Sequence, residues 1–237
     1  SVAVTGVQTC ALPISSIPGL DRISYLTNEN IWNLSRLPRR LLVLGGGPVG
    51  SELAQCFARF GSQVTVVERE DRILAREDRD VSDEVTKRFQ TEGIRLLLRH
   101  EAIRFESDGE SKILLSRTHS GEEIRLEFDE VLIALGRKAR VEGFGLEELG
   151  VELSSRGTIR ADEFLRTNYP NIFVCGDVAG PYLFTHAASH QAWYAAINAL
   201  FGTFRKFKVD YRVLPWATFT DPEVAHVGLN EQEAQIG

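Results

Sequence analysis

The stretch LLVLGGGPVGSE, residues 41 to 52, decides the fold. Its apolar run, Leu41 to Leu44, has the length of a buried parallel strand, and the run from Ser51 to Phe60 carries helix-forming residues. The apolar positions of this predicted helix are Leu53, Cys56, Phe57 and Phe60. Because a strand, a glycine-rich turn and a helix follow one another, the stretch has the order that a dinucleotide site needs.

Three glycines of the turn have the G-x-G-x-x-G spacing of such sites. Gly45 can make the tight turn, Gly47 leaves room for a pyrophosphate, and Gly50 lets the helix pack on the strand. The helix N-terminus then offers N–H groups and a partial positive charge to the phosphates. The motif alone is weak evidence, because the same spacing occurs in ordinary turns and in other Rossmann-like folds such as methyltransferases.

A second strand, QVTVV at residues 63 to 67, ends at Glu68, 18 residues after Gly50. A carboxylate at this place can accept hydrogen bonds from the adenosine ribose hydroxyls. It would also repel a ribose 2′-phosphate, so we expect NAD rather than NADP, although the nearby Arg69 and Arg72 weaken that preference. The alternative is a βαβ unit that binds nothing.

Composition excludes several classes of protein. The 237 residues are 43% hydrophobic and 25% charged, which is enough apolar material for one large or two modest globular domains. A net charge of −6 without long runs of like charge argues against a nucleic-acid partner, and no apolar stretch is long enough to span a membrane. Cys10, Cys56 and Cys175 are too scattered for a disulfide framework or a metal site, so we expect a cytoplasmic protein without metal, with Cys56 and Cys175 buried.

The ends of the chain indicate a fragment. It contains no methionine and stops at EQEAQIG, just inside a helix that a cap at Asn230 predicts. The run VTGVQTCALPI resembles the translation of a sequencing-library adapter, so residues 1–14 are interpreted as a non-native segment and left out of functional reasoning. The alternative is a natural N-terminal strand, SVAVTG.

Further along, the pattern predicts a mixed α/β domain over residues 38–138. An amphipathic helix spans 79–93 and a third strand spans 94–98. Short strands at 103–107, 113–117 and 124–128, separated by turn residues, indicate an antiparallel meander. Residues 130–135 predict a further core strand.

A second ligand-binding end is predicted between residues 167 and 196. A short apolar strand, Ile172 to Cys175, runs into Gly176 and Asp177, where glycine permits close approach and the carboxylate can accept from a sugar-alcohol hydroxyl. A helix begins near Thr185 and runs to Gly202, and its N-terminus could face a negatively charged ligand atom.

Seven motifs in order resemble the FAD-containing pyridine nucleotide-disulfide oxidoreductases, especially the dihydrolipoamide dehydrogenase and mercuric-reductase-like members. They are IPGL, GGGPVGSELA, VTVVE, ALGR, TNYPNIFVCGD, THAASHQA and ATFTDPEVAHVGL. The resemblance implies a Rossmann-like NAD domain inserted in an FAD domain, followed by an α+β dimerisation domain. It places the end of an N-terminal FAD segment at 15–37, the NAD domain at 38–138, the second FAD part at 139–212 and the start of the dimerisation domain at 213–237.

The resemblance also implies FAD and NAD as cofactors, with NADP less favoured, and assigns residues to them. Glu52 would lie near the nicotinamide ring and the flavin. Asp177 would hold the flavin ribityl chain, and the backbone at Thr185 would approach the isoalloxazine. The remaining predicted cofactor-binding residues are Gly45, Gly46, Gly47, Pro48, Val49, Gly50, Glu68, Ala134, Gly136, Arg137 and Gly176.

The chain departs from the family pattern at three points. It lacks the C-x-x-x-x-C redox pair, the first FAD glycine motif and the C-terminal His-Glu pair, all expected outside this fragment. Three hypotheses therefore stay open. The first is a dimeric flavoenzyme that passes hydride from NAD(P)H to FAD and on to a disulfide or a metal ion, with a small molecule or a small protein as the acceptor. The second is a similar flavoenzyme without the cysteine pair, and the third is a non-catalytic nucleotide-binding module. The upstream reading frame separates the first two, and a flavin absorption spectrum tests the third.

Overall fold

The computed structural model describes residues 3–5, 10, 11, 17–107, 109 and 111–236. Two short 3-10 turns, Leu20–Arg22 and Ile31–Asn33, precede the main elements. In chain order, the strands and helices are β1 (Ala3–Thr5), β2 (Cys10–Ala11), β3 (Arg40–Leu44), α1 (Pro48–Arg59), β4 (Gln63–Glu68), α2 (Arg79–Thr91), β5 (Arg95–Leu98), β6 (His100–Ser107), β7 (Lys112–Thr118), β8 (Glu123–Phe128), β9 (Glu130–Ile133), β10 (Lys138–Ala139), β11 (Ile172–Val174), α3 (Thr185–Phe201), β12 (Pro215–Thr218), β13 (Val224–Val227) and α4 (Glu231–Ile236).

The chain divides into two compact units. The larger unit comprises the described residues of Leu12–Gly136 and Ala217–Gly237, and the smaller unit comprises those of Ser1–Ala11 and Arg137–Trp216. The two units are defined by how the backbone packs and not by function. The domain assignments made from the sequence therefore stay predictions.

A four-stranded parallel sheet, in the order β5-β4-β3-β9, forms the centre of the larger unit. Alternate residues of β3 point to opposite faces of this sheet. Leu41 and Val43 pack on the side of the helices, and Leu42 and Leu44 pack on the side of the meander. Burial on both faces explains why residues 41–44 of β3 are all apolar. The predicted α/β class is confirmed.

Helices and meander cover the two faces of the sheet. On one face, Ala54 of α1 and Val85 and Phe89 of α2 are fully buried. On the other, the antiparallel sheet β6-β7-β8 buries the rings of Phe105 and Phe128, which meet edge to face with centroids 5.8 Å apart. The meander predicted from short strands and turn residues is therefore confirmed.

Helix α1 does not bury the face that its apolar residues predict. Its buried residues are Gly50, Ser51, Ala54 and Gln55. The expectation that Cys56 is buried is wrong, and Phe60 is 70% exposed. Successive helical residues are about 100° apart, so Cys56 lies about 200° around the axis from Ala54, which faces the sheet. Cys175, in contrast, is buried as predicted, and burial raises the pKa of its thiol.

The segment before β3 is tied to the sheet. The Leu26 N–H donates to the Val131 carbonyl at 2.7 Å, and the Ile133 N–H donates to the Leu26 carbonyl at 2.9 Å. Leu20 and Ile31 of the same segment are also buried. The predicted connector thus adds to the edge of the sheet at β9.

In the smaller unit, β11 pairs in parallel with β1, and β10 pairs antiparallel with β2. If the first residues of the chain are a natural N-terminal strand rather than a non-native segment, they should pair with another strand, and Ala3–Thr5 does so. Helix α3 packs on β11 through Ala195, in a cluster that includes Phe173 and Cys175. Among the described residues of both units, no helix has the length and apolar character needed to cross a membrane.

We expect Gly50→Ala to destabilise the larger unit strongly. A Cβ at residue 50 would lie 1.9 Å from the Gly45 carbonyl oxygen, a backbone atom that cannot move aside. The free energy of unfolding, measured by urea titration, should fall by about 2 kcal/mol or more.

Gly47→Ala is the matched control, because a Cβ at residue 47 would meet nothing within 4 Å. Its loss should stay below about 1 kcal/mol. Equal losses in the two variants would contradict the assignment of the contact at Gly50.

Candidate functional site

The glycine turn begins where β3 ends. Gly45 has φ +104°, in the left-handed region that favours glycine. Its N–H donates to the Val67 carbonyl at 2.9 Å, and a Cβ there would lie 2.4 Å from the Ala134 carbonyl oxygen. Both the backbone conformation and the packing therefore require glycine at this position.

The peptide of Gly46 is held on several sides. Its N–H donates to Oε2 of Glu68 at 2.6 Å. Its carbonyl accepts from the Leu74 N–H at 2.8 Å and from the Ser51 hydroxyl at 3.1 Å. A Cβ at Gly46 would lie 2.8 Å from Cγ2 of Ile73. The turn is thus fixed before any ligand arrives.

Gly47 is different, because nothing in the described chain requires a glycine there. Its φ of −72° is open to any residue, and a Cβ would point into open space. It is the N-cap of α1, no side chain caps that helix, and Pro48 occupies the first turn beside Val49. First-turn N–H groups have no partner within a helix. Open space beside such groups fits a diphosphate.

Glu68 lies at the end of β4, beside the turn. Oε2 accepts from the Gly46 N–H at 2.6 Å, and Oε1 accepts from the Glu70 N–H at 2.8 Å. These two amides fix the position of the carboxylate. Of the neighbouring arginines, Arg72 donates to the Ala75 carbonyl at 3.0 Å and its side chain is 14% exposed, whereas the side chain of Arg69 is 70% exposed.

Two further predicted residues follow β9. The Ala134 N–H donates to the Leu44 carbonyl at 2.8 Å, so Ala134 lies beside the glycine turn. Gly136 has φ +129°, and a Cβ there would meet nothing within 4 Å. Because β3, β4 and β9 are parallel, Gly45, Glu68 and Ala134 lie at the same carboxyl edge of the sheet. That edge is where open α/β sheets bind ligands.

Glu52, in the first turns of α1, contacts a distant part of the chain. Its Oε1 accepts from the Phe219 N–H at 2.8 Å. The sequence did not predict this contact, since residues 52 and 219 are connected only by the tertiary fold.

The second predicted ligand-binding end lies in the smaller unit. Gly176 has φ +83°, and its N–H donates to Oε1 of Gln191 at 2.6 Å. Nε2 of Gln191 donates to the Gly180 carbonyl at 2.6 Å and to the Tyr211 hydroxyl at 2.9 Å. Gln191 is fully buried and fixes the loop after β11.

Sequence reasoning missed Gln191. The buried residues of α3 are Ala187, Gln191, Ala195 and Asn198. Their spacing of four, four and three residues marks the inner face of a helix. Two amides on that face could have been recognised, because a buried amide needs hydrogen-bond partners.

Asp177 and Thr185 complete this end of the smaller unit. Asp177 is 2% exposed, directly after Gly176. Helix α3 begins at Thr185 after the extended residue Phe184, and no side chain caps it. A guanidinium N–H of Arg137 donates to the Leu183 carbonyl and so anchors the loop before the helix. A buried carboxylate fits the hydroxyls of a ribityl chain, and an uncapped helix start fits a negatively charged ring edge.

Comparisons with known proteins identify the family of the chain. Residues 2–192 match the profile of the family described as pyridine nucleotide-disulphide oxidoreductase. A mercuric reductase of Bacillus cereus is 38% identical over 231 residues, which cover 98% of this chain and 36% of that protein. A dihydrolipoyl dehydrogenase of Chlamydia pneumoniae is 38% identical over 223 residues, which cover 94% of this chain and 46% of that protein.

Among solved structures, the Cu(II) complex of the HOCl-induced flavoprotein disulfide reductase RclA of Escherichia coli superposes with a TM-score of 0.87 at 29% identity. The alignment covers 99% of this chain and 52% of that one. The chain spans less than half the length of the two curated relatives. With the glycine turn, the acid at the end of β4 and the parallel sheet, these matches show that the chain belongs to the pyridine nucleotide-disulphide oxidoreductase family, whose members are flavoproteins that use FAD and pyridine nucleotides.

Proposed function

We propose that this chain is the nucleotide-binding part of an oxidoreductase that transfers hydride from NAD(P)H to FAD and on to a disulfide or a metal ion. Membership of the family supports the reaction class. The names of the relatives, dihydrolipoyl dehydrogenase and mercuric reductase, support the two classes of acceptor. We further propose that the whole protein is a cytoplasmic homodimer with a small-molecule or small-protein acceptor.

The observation that carries the proposal is the open space at Gly47. Gly45, Gly46 and Gly50 are needed by the chain itself, whereas Gly47 is needed only if something else approaches the backbone. A diphosphate there would meet the start of α1, where N–H groups and the helix dipole favour negative charge. Glu68, already fixed by two amides, can accept from the ribose hydroxyls with its remaining lone pairs.

In this proposal the bound nicotinamide supplies the hydride and the flavin accepts it. The chain contributes binding and orientation. Gly136 leaves room beside the end of β9, and Glu52 lies on α1 two turns or less from the glycine turn. In the smaller unit, Asp177 accepts from ribityl hydroxyls, and the start of α3 stabilises negative charge on the ring.

Gly47→Ala tests the proposal directly. The added Cβ would occupy the space assigned to the diphosphate, so the affinity for NADH should fall about tenfold or more, as expected for a steric cost of ~1.4 kcal/mol or more. The dissociation constant is measured by calorimetry, with Gln63→Ala at the opposite edge of the sheet as a control. Unchanged affinity in a folded Gly47→Ala variant would show that no diphosphate binds at this turn.

Glu68→Gln tests the expected preference for NAD. The substitution keeps the size of the side chain but removes the charge that opposes a 2′-phosphate. The ratio of the NADPH to the NADH dissociation constant should fall by about tenfold, which corresponds to a lost repulsion of ~1.4 kcal/mol. Glu101→Gln, at an exposed carboxylate on β6, should leave the ratio unchanged. If the unmutated chain binds NADPH more tightly than NADH, Arg69 or Arg72 governs the pocket instead.

Glu52→Gln tests the predicted catalytic residue in the whole protein. A group that orients the nicotinamide acts mostly in the transition state, so flavin reduction by NADH should slow about tenfold while the dissociation constant changes less than about threefold. Stopped-flow absorbance at the flavin band measures both quantities. Glutamine keeps an acceptor for the Phe219 N–H. An unchanged rate with weakened affinity would make Glu52 a binding or structural residue.

A further inference from the structure

A segment near the C-terminal end of the chain contacts both elements that flank the glycine turn, which are α1 and the loop before α2. We call residues 217–231 the bridging segment. On α1, Oε1 of Glu52 accepts from the Phe219 N–H at 2.8 Å. One turn further, Gln55 is 3% exposed and pairs reciprocally with the backbone of Asp221, at 2.7 Å to its N–H and 2.8 Å to its carbonyl.

Charged groups strengthen this first contact. Arg59 of α1 and Arg88 of α2 both donate to the Asp221 carboxylate. These two guanidinium groups hold the pKa of Asp221 below its usual value. The bridging segment is therefore fixed to the two helices that cover the sheet.

The bridging segment also contacts the loop between Leu74 and Asp78. Nδ1 of His226 lies 2.9 Å from Oε2 of Glu77, and both side chains are about nine-tenths buried. Nε2 of the same ring lies 3.1 Å from the Gly228 carbonyl. Nearby, the Glu231 N–H donates to Oδ1 of Asp78 at 3.0 Å. The loop is thus held by the buried pair of Glu77 with His226 and by the hydrogen bond from the Glu231 N–H to the Asp78 side chain.

This loop reaches the glycine turn at its other end. The Leu74 N–H donates to the Gly46 carbonyl at 2.8 Å, and the Glu77 N–H donates to the Leu74 carbonyl at 2.9 Å. Leu74 has φ +48°, which is strained for a residue with a Cβ and persists only where the surroundings fix it. The pair of Glu77 with His226 lies three residues from this strained position.

We propose that Glu77 is a positioning residue for the glycine turn. Held by His226, it keeps the Leu74–Glu77 turn in the conformation that donates to Gly46, so docking of the bridging segment and binding of a nucleotide diphosphate are coupled. The inference rests on the proposed function of the glycine turn. Because coupling of two binding events is reciprocal, the nucleotide also stabilises the docked bridging segment.

The experiment uses the 237-residue chain and its variants Glu77→Leu and His226→Leu, with the double variant, because leucine at either position removes the hydrogen bond between the two side chains. Calorimetry measures the dissociation constants of NADH and of ADP-ribose, which carries the diphosphate without the nicotinamide. In each single variant, the dissociation constants of both ligands should rise about fivefold or more. In the double variant, they should rise no further than in the single variants. Glu84→Gln, at an exposed ion pair with Lys87 on α2, is the matched control.

Hydrogen exchange provides a second measurement. In the unmutated chain, ADP-ribose, which lacks the nicotinamide, should slow exchange of the amides in residues 217–231, and this protection should be lost in Glu77→Leu and His226→Leu. His226→Gln, which restores a donor toward Glu77, should regain part of it. A purely structural role of Glu77 would leave the protection of residues 217–231 by the ligand the same in the variants as in the unmutated chain.

The outcomes separate the two proposals. If the unmutated chain binds neither NADH nor ADP-ribose, the proposed function is overturned. If it binds both, and folded variants keep full affinity and full protection of residues 217–231, the coupling is overturned. Should Glu77→Leu fail to fold, His226→Leu and Asn230→Ala interrupt the same loop contacts from the other side, since Asn230 donates to the Arg76 carbonyl at 3.3 Å.

Discussion

The close approach of α1 to β3 is the constraint on which the rest of the larger unit depends. The Gly45 carbonyl oxygen occupies the place of a Cβ at residue 50, so residue 50 must be glycine, while Gly45 itself is required by its φ of +104° and by the Ala134 carbonyl. This contact sets the depth of α1 against the sheet, which explains why its inner face consists of Gly50, Ser51 and Ala54 rather than large apolar side chains. It also directs the helix start toward the carboxyl edge of β3.

The position of the Gly46 peptide follows from this approach, and three separate parts of the chain determine it. Glu68 holds the N–H, while Ser51 and Leu74 hold the carbonyl. These bonds come from the end of β4, from α1 and from the loop before α2. Preorganisation of this kind reduces the ordering that a ligand must impose on the backbone, which favours affinity. The proposed role of the bridging segment extends the same principle, since His226 would act on the turn through Glu77 and Leu74.

Local patterns predicted most of the fold, because the strands and helices of the larger unit follow from side-chain periodicity. The parallel strands, the meander and α2 were found in this way. The face of α1 was not, since Cys56 and Phe60 look apolar in sequence while the depth of the helix is set by Gly50. Polar contacts such as Gln55 with Asp221 connect residues more than 160 positions apart. No local pattern carries that information, because only the tertiary fold brings such residues together.

The same reasoning supports the proposed preference for NAD, although arginines stand beside the acid. A fixed charge acts on a ligand at full strength, whereas a flexible one must first lose conformational freedom. Glu68 is fixed by two backbone amides, and the guanidinium of Arg72 is engaged with the Ala75 carbonyl. Arg69 is the more exposed of the two cations and would have to be ordered by the 2′-phosphate itself. We therefore propose that the carboxylate determines the preference, because the glycine turn fixes its position in the chain without a nucleotide.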